Sequence, residues 1–393
     1  MKVFLRFFGI CVLWFPGLSS GQITMTNGDH TIEITGSIST YYNHRFMKEG
    51  ELNLRKNRFR LRDAQLQIEG RYKKTIEYEL QVDFSDIGQS LTGVIDPENP
   101  GIMDAYVHYK GLGIVDLTFG YTKLPYSRSS LVPFVYTPYW QRAEIVRGDI
   151  FSRRDIGVSL SKTFWRQRVK IEGGIYNGLG ELSLRGDNDP SGNLEYIGRA
   201  EVAYPSRFRY RDIDDRITPV PMFAAGFNAR YTDKSQPVGN RTLPGGAGGE
   251  YNVKVIDGKK YVYGFDLAFQ WMGFSAQYEF HYYRATPRDS NNFMLMGLPK
   301  WQTGGFFQGG GMYGQLNYFS KPLKSIFSVR YEELMLNDLI AGKMVRFGGA
   351  YAFQLNGWKS MIKVQYWLID QEDPLDPLRW TSQVRLGWQY LFQ

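Results

Sequence analysis

The sequence predicts an all-β protein: a transmembrane antiparallel up-and-down β-barrel of about 16 strands, with an inward constriction loop after the fifth strand. Three observations carry this. Apolar residues alternate with polar ones along most of the chain after residue 30. The polar face is charged on nearly every strand, which a dry core does not tolerate. Long and short connections alternate, as they do when loops lie at one end of a barrel and turns at the other.

Residues 1–21 stand apart. Lys2 and Arg6 precede an apolar run from Phe7 to Phe15, and small residues Ser19 and Gly21 lead up to a cut before Gln22. This is the pattern of a secretory signal peptide, with an apolar core too short to span a bilayer. Residues 22–393 are then the barrel domain. The only cysteine, Cys11, lies in the leader, so the mature chain would have no disulfide. Its stability would come from the fold alone.

The composition agrees: 26 Phe, 27 Tyr, 9 Trp and 43 Gly among 393 residues suit strands joined by many turns. Removing Lys2 and Arg6 lowers the formal charge from +8 to +6. No block of five or more like charges occurs, so no nucleic-acid partner is indicated. No run of 18 apolar residues follows residue 21, which excludes a transmembrane helix. The Gly-rich "PGGAGGE" at 244–250 lacks the Lys-Ser/Thr of a phosphate-binding loop and reads as a loop tip. No metal or cofactor signature is present, and none is expected.

The strands follow in order at 31–43, 58–70, 75–85, 102–110, 114–122, 156–164, 167–177, 195–203, 222–231, 261–271, 274–284, 312–319, 325–332, 344–353, 361–369 and 382–392. Ile76, Tyr78, Leu80, Val82 and Phe84 share one face of the third, with Glu77, Glu79, Gln81 and Asp83 on the other. The second slips phase, Phe59 and Leu61 fitting one parity and Ala64, Leu66 and Ile68 the other. A β-bulge near Asp63 reconciles them. The last strand sets Val384, Leu386, Trp388, Tyr390 and Phe392 toward lipid and Gln383, Arg385 and Gln389 inward, and it would close the barrel on the first. Tyr41, Tyr42, Trp271, Tyr282, Tyr283, Trp367 and Phe392 lie near strand ends and suit the interfacial girdles. One connection resists the scheme: "PSRFRYRDIDDRITPVP" after the eighth strand is too long for a tight turn at that end.

The inward charges run from Glu33 through Asp104, Arg199, Asp266 and Glu279 to Arg385, and a barrel of this size leaves a water-filled lumen for them. The longest connection, residues 123–155, is rich in aromatics and proline and should pack against the inner wall. It carries Lys123, Arg128, Arg142, Arg147, Arg153 and Arg154 against Glu144, Asp149 and Asp155. With Arg58, Arg60 and Arg62 at the outer end of the second strand, these nine cations are the candidate pore and constriction residues. A guanidinium contacts an oxyanion without losing its charge. The plainer reading is that several of them pair with wall carboxylates and simply hold the loop.

The stretches "LRDAQLQIEGRYKKTIEYELQVDFS", "DAYVHYK", "LTFGYTKLPYS", "RRDIGVSLSK" and "GIYNGLG", in that order, resemble the phosphate-selective porin O and P family of Gram-negative outer membranes. The resemblance implies a 16-stranded trimeric porin with an inward constriction loop and a basic, anion-passing lumen, and Arg58, Arg60, Arg62 and Arg128 fall near the family's basic pore segments. It also implies the outer-membrane lipid and small anions or polar solutes as partners. The aromatic end of the chain resembles the signal read by the outer-membrane insertion machinery, although Gln393 follows Phe392. The expected function is passive diffusion of small polar solutes, anions such as phosphate favoured. Two other classes of function fit such a barrel. A non-conducting surface barrel could bind a partner through its long outer loops. A barrel lipid hydrolase would need a base beside a nucleophile, and His30, His44, His108 and His281 form no such motif with a serine.

Overall fold

The computed structural model describes residues 23–47, 57–85, 101–180, 183, 192–235, 253–288, 305–338, 343–371 and 380–392. The leader and residues 244–250 lie outside the described residues. A short strand, β1 (Ile23–Asn27), precedes sixteen that close on themselves: β2 (His30–Met47), β3 (Asn57–Tyr72), β4 (Ile76–Asp83), β5 (Ile102–Tyr109), β6 (Asp116–Lys123), β7 (Arg154–Phe164), β8 (Val169–Tyr176) and β9 (Glu195–Tyr204). They continue as β10 (Met222–Lys234), β11 (Gly258–Trp271), β12 (Phe274–Pro287), β13 (Phe307–Ser320), β14 (Ser325–Met335), β15 (Met344–Asn356), β16 (Ser360–Gln371) and β17 (Trp380–Phe392). Each pairs antiparallel with its chain neighbour, and β17 pairs with β2 to complete the barrel. Every strand expected from the alternation is present; β1 is the addition. It pairs with residues 30–34 of β2, just beyond the Gly36 that faces Phe392 of β17. The two terminal strands therefore share one edge of β2. A Cβ on Gly36 would overlap the Phe392 ring and the Gln65 carbonyl, so the closure needs glycine there.

The phase slip in β3 is a bulge at Arg62: the register runs Ser39↔Asp63, then Thr40↔Leu61. Phe59 and Leu61 keep facing outward on one side of it, and Asp63 and Gln65 face inward on the other. The β3–β4 turn is tight because Lys73 and Lys74 take left-handed φ of 50° and 59°, which suits a hairpin twist.

The outer surface divides as a bilayer requires. Toward the turn end, Tyr204, Trp271, Phe274, Tyr318 and Phe327 are exposed; toward the loop end, Tyr196, Tyr261 and Tyr263 are. Between these bands lie Leu267 and Leu316. Replacing Leu267 by arginine should cost about 2–4 kcal/mol of barrel stability, the penalty for a cation near the bilayer midplane. An unchanged unfolding midpoint in lipid vesicles would show that this face does not meet lipid. Three residues assigned to the girdles are instead internal. Tyr41, Tyr283 and Trp367 are buried, because their parity points inward and the segment after β6 gives them apolar cover.

That segment is the main departure from an open tube. The inward wall was expected to be hydrated throughout. Around β9–β17 it is not: Arg199, Asp266, Glu279, Arg330, Glu332, Arg346, Lys363 and Arg385 are all buried. Two stretches of chain cover them, residues 124–153 from the loop end and 205–221 from the turn end. Burial of these ions is tolerated because they pair with each other and with the covering backbone.

Candidate functional site

Residues 124–153 cross the lumen on a chain of polar anchors. Ser127 N donates to Asn228 Oδ1 of β10 at 3.0 Å. Glu279 of β12 accepts from Ser127 Oγ at 2.6 Å, Ser129 N at 2.5 Å and Tyr313 Oη at 3.1 Å, with His281 Nε2 2.9 Å away. Ser127 also caps the single helical turn Arg128–Leu131 by accepting from Ser130 N, at a left-handed φ of 64°. The chain then passes under β16 and β17. Lys363 Nζ donates to the Thr137 carbonyl at 2.8 Å, and Trp140 N donates to Gln365 Oε1 at 2.8 Å. On β14 and β15, Glu332 accepts from Glu144 N at 2.8 Å, and Arg346 pairs with Glu144.

Apolar packing completes the attachment. Tyr126, Ile145, Val146, Ile150 and Phe151 join Ile197, Val262, Tyr283 and Leu334 of the wall in one cluster. Tyr139 stacks near Trp367, centroids 5.4 Å apart, with Arg330 3.8 Å over its ring. Burial pushes the Tyr139 phenol up to about 12, against the pull of Arg330, and burial raises Tyr126 likewise. Both stay neutral.

The connection after β9 explains its own length. Residues 205–221 fold into the barrel rather than turning. The Asp212 carbonyl accepts from Ser275 Oγ at 2.7 Å and Asn317 Nδ2 at 3.0 Å. Asp214 accepts from Thr218 Oγ1 at 2.6 Å and Gly273 N at 2.9 Å. Ile213 packs on Phe319, Ile326, Ala352 and Met361. The two covering segments meet at two arginines. Arg128 donates to the Arg209 carbonyl and lies 4.3 Å over Phe208. Arg211 lies 3.8 Å over Tyr136 and 2.6 Å from Asp215.

A polar cavity of about 420 Å³ remains between residues 124–153 and the wall of β2–β5. Its wall side presents Glu33, Asp63, Gln65, Gln67, Glu69, Glu79 and Gln81. Gln67 Nε2 donates to Glu69 at 2.7 Å and Glu79 at 2.9 Å, and Tyr106 Oη donates to Glu79 at 2.7 Å. The facing side presents Phe134, Tyr136, Arg142 and Arg153, with Arg62, Lys123 and Arg154 around the rim. A larger groove, about 760 Å³, lies on the lipid-facing side among Ala225, Leu267, Leu316 and Val329 and offers no polar path.

Of the nine candidate cations, the structure brings five to this cavity: Arg62, Lys123, Arg142, Arg153 and Arg154. Arg62 is 3.0 Å from Asp63, and Arg154 forks onto Asp104 at 3.1 and 2.9 Å, with Lys123 Nζ 3.7 Å from the same carboxylate. Arg142 donates to the Ser129 and Val132 carbonyls. The other four lie elsewhere. Arg128 is fully buried and 3.4 Å from Glu201. Arg147 pairs with Glu144 at 2.8 Å. Arg58 and Arg60 are half-buried on β3, outside the cavity lining. Arg128 and Arg154 thus pair with wall carboxylates, as in the plainer reading, whereas Arg147 pairs within its own segment. Sequence reasoning missed Asp63, Glu69 and the glutamines as cavity groups. Their signal was the inward parity of Gln65, Gln67 and Glu69 once the bulge is counted.

A closed antiparallel barrel of sixteen strands, with an apolar band outside and charged groups within, is the architecture of the outer-membrane porins. The family model described as phosphate-selective porin O and P matches residues 33–203, which bears out the resemblance read from the sequence. No curated protein matches the chain. Among solved structures it is similar to OmpT, an outer membrane protein of Vibrio cholerae, with a TM-score of 0.55 at 10% identity over 94% of this chain and 99% of that one. It is also similar to the outer membrane channel DcaP of Acinetobacter baumannii, with a TM-score of 0.55 at 11% identity over 93% and 99%. OmpF of Salmonella typhi gives a TM-score of 0.52 at 9% identity over 94% and 100%. At these identities the likeness is one of fold.

Proposed function

We propose that the chain is a porin of the Gram-negative outer membrane that passes small polar solutes by diffusion and favours anions such as phosphate. The observation that carries this is the charged cavity of about 420 Å³ beside β2–β5, the part of the wall that the two covering segments leave open. Residues 124–153 act as the constriction, and Lys123, Arg142 and Arg153 offer positive charge to a passing oxyanion. Residues 1–21 serve as the export signal of a barrel spanning 22–393. One of the similar structures, OmpT of Vibrio cholerae, has a trimer form, and we extend a homotrimer to this chain. The test is reconstitution in planar bilayers with a salt gradient. Stepwise conductance with an anion-side reversal potential is expected. A cation-side potential would overturn the anion preference alone, and the absence of conducting steps would overturn the channel.

A further inference from the structure

The exposed charge at the turn end of the barrel is predominantly positive. Lys73, Lys74, Arg166, Arg216, Lys321 and Lys324 are among its exposed cations, and Asp29 is the exposed acid of the described turns. Three of these cations, Arg216, Lys321 and Lys324, line a groove of about 440 Å³ between residues 205–221 and the turns after β13 and β15. Its one carboxylate, Asp215, is already engaged by Arg211 at 2.6 Å and by Trp358 Nε1 at 2.8 Å. Like charge is crowded here: partial burial and the guanidiniums of Arg216, Arg211 and Arg207 hold Arg209 below its ordinary value. An anion in the groove would relieve that crowding.

The depth of the groove says which anion. Tyr318 and Phe327, exposed on the lipid face, lie two residues inside the ends of β13 and β14. Aromatic bands mark the membrane interface. At about 3.3 Å per residue, Lys321 and Lys324 sit just beyond it, at the depth of lipid phosphates. Leu323 between them and Leu355 at the groove edge are 60% and 48% exposed, an apolar approach that a free ion has no use for.

We propose that this groove binds the phosphate head group of an anionic phospholipid in the leaflet around the turn end. The inference rests on the outer-membrane reading above. Basic residues at that depth attract anionic lipid, and the attraction weakens with salt.

The test melts the purified full chain in neutral detergent with phosphatidylglycerol, phosphatidylcholine or inorganic phosphate added. Phosphatidylglycerol is expected to raise the unfolding midpoint by several degrees, the other two little, and 0.5 M salt should erase the gain (~3–5 Å screening length). The triple variant Arg216→Gln, Lys321→Gln, Lys324→Gln should lose the gain, while Lys259→Gln, exposed at the opposite end, keeps it. Equal gains from both lipids, the same gain from inorganic phosphate, or a gain retained in the triple variant would overturn the proposal. The same preparation is assayed for conductance in phosphatidylcholine bilayers. Conduction without a phosphatidylglycerol effect defeats this inference alone, and the reverse result defeats the channel reading alone.

Discussion

Glu279→Ala is expected to unfasten residues 124–153 from the wall and to cost about 3–5 kcal/mol, the usual penalty for opening a buried charged network. The carboxylate is fully buried and serves Ser127, Ser129, Tyr313 and His281 together. Without it, the Ser127 hydroxyl and the Ser129 amide lose their acceptor at the point where the segment leaves the wall. Two readouts should move together. The thermal midpoint falls, and single-channel current becomes noisier as residues 124–153 sample positions away from β12. Glu279→Gln keeps one acceptor oxygen and should fall between. An alanine variant with the wild-type midpoint and a quiet current trace would mean that the apolar cluster around Tyr126 and Phe151, not this carboxylate, fixes the segment.

The barrel was legible because period-2 alternation is a local signal. Each strand declares its two faces within ten residues, and even the Arg62 bulge shows as a change of parity. What fills the barrel was less legible. Trp367 and Tyr283 obey the same alternation as lipid-facing aromatics on neighbouring strands, and only their inward parity distinguishes them. Residues 205–221 gave the length anomaly but not its cause, since the donors to the Asp212 carbonyl and the apolar neighbours of Ile213 are supplied by strands 60 to 150 residues away. The candidate cations were found by charge, and charge does not tell a pore arginine from a staple. Arg128 and Arg142 look alike in the sequence; one is sealed against Phe208 and the other lies on the cavity.

That distinction sets the second large effect, which concerns charge across the cavity. Lys123 is partly exposed and borders the cavity, and Glu69 and Glu79 stand on the wall side. A unit charge about 5 Å from an ion's path shifts its energy by about 0.8 kcal/mol in water, about fourfold in local concentration. Lys123→Glu changes two units. It should move the reversal potential toward the cation limit by on the order of 10 mV or more in a tenfold gradient, and it removes a neighbour of Asp104 as it does so. Glu69→Gln should move it the other way by about half as much, because one unit is lost and the carboxamide keeps the hydrogen bond to Gln67. Arg147→Ala supplies the contrast, since Arg147 pairs with Glu144 outside the cavity lining, and it should leave the potential where it was. Opposite shifts from Lys123 and Glu69, with none from Arg147, require that ions travel between the arginine face and β2–β5. If Arg147→Ala shifts the potential as far as Lys123→Glu does, the conducting path runs on the other side of residues 124–153, through the region that Arg128 and residues 205–221 close.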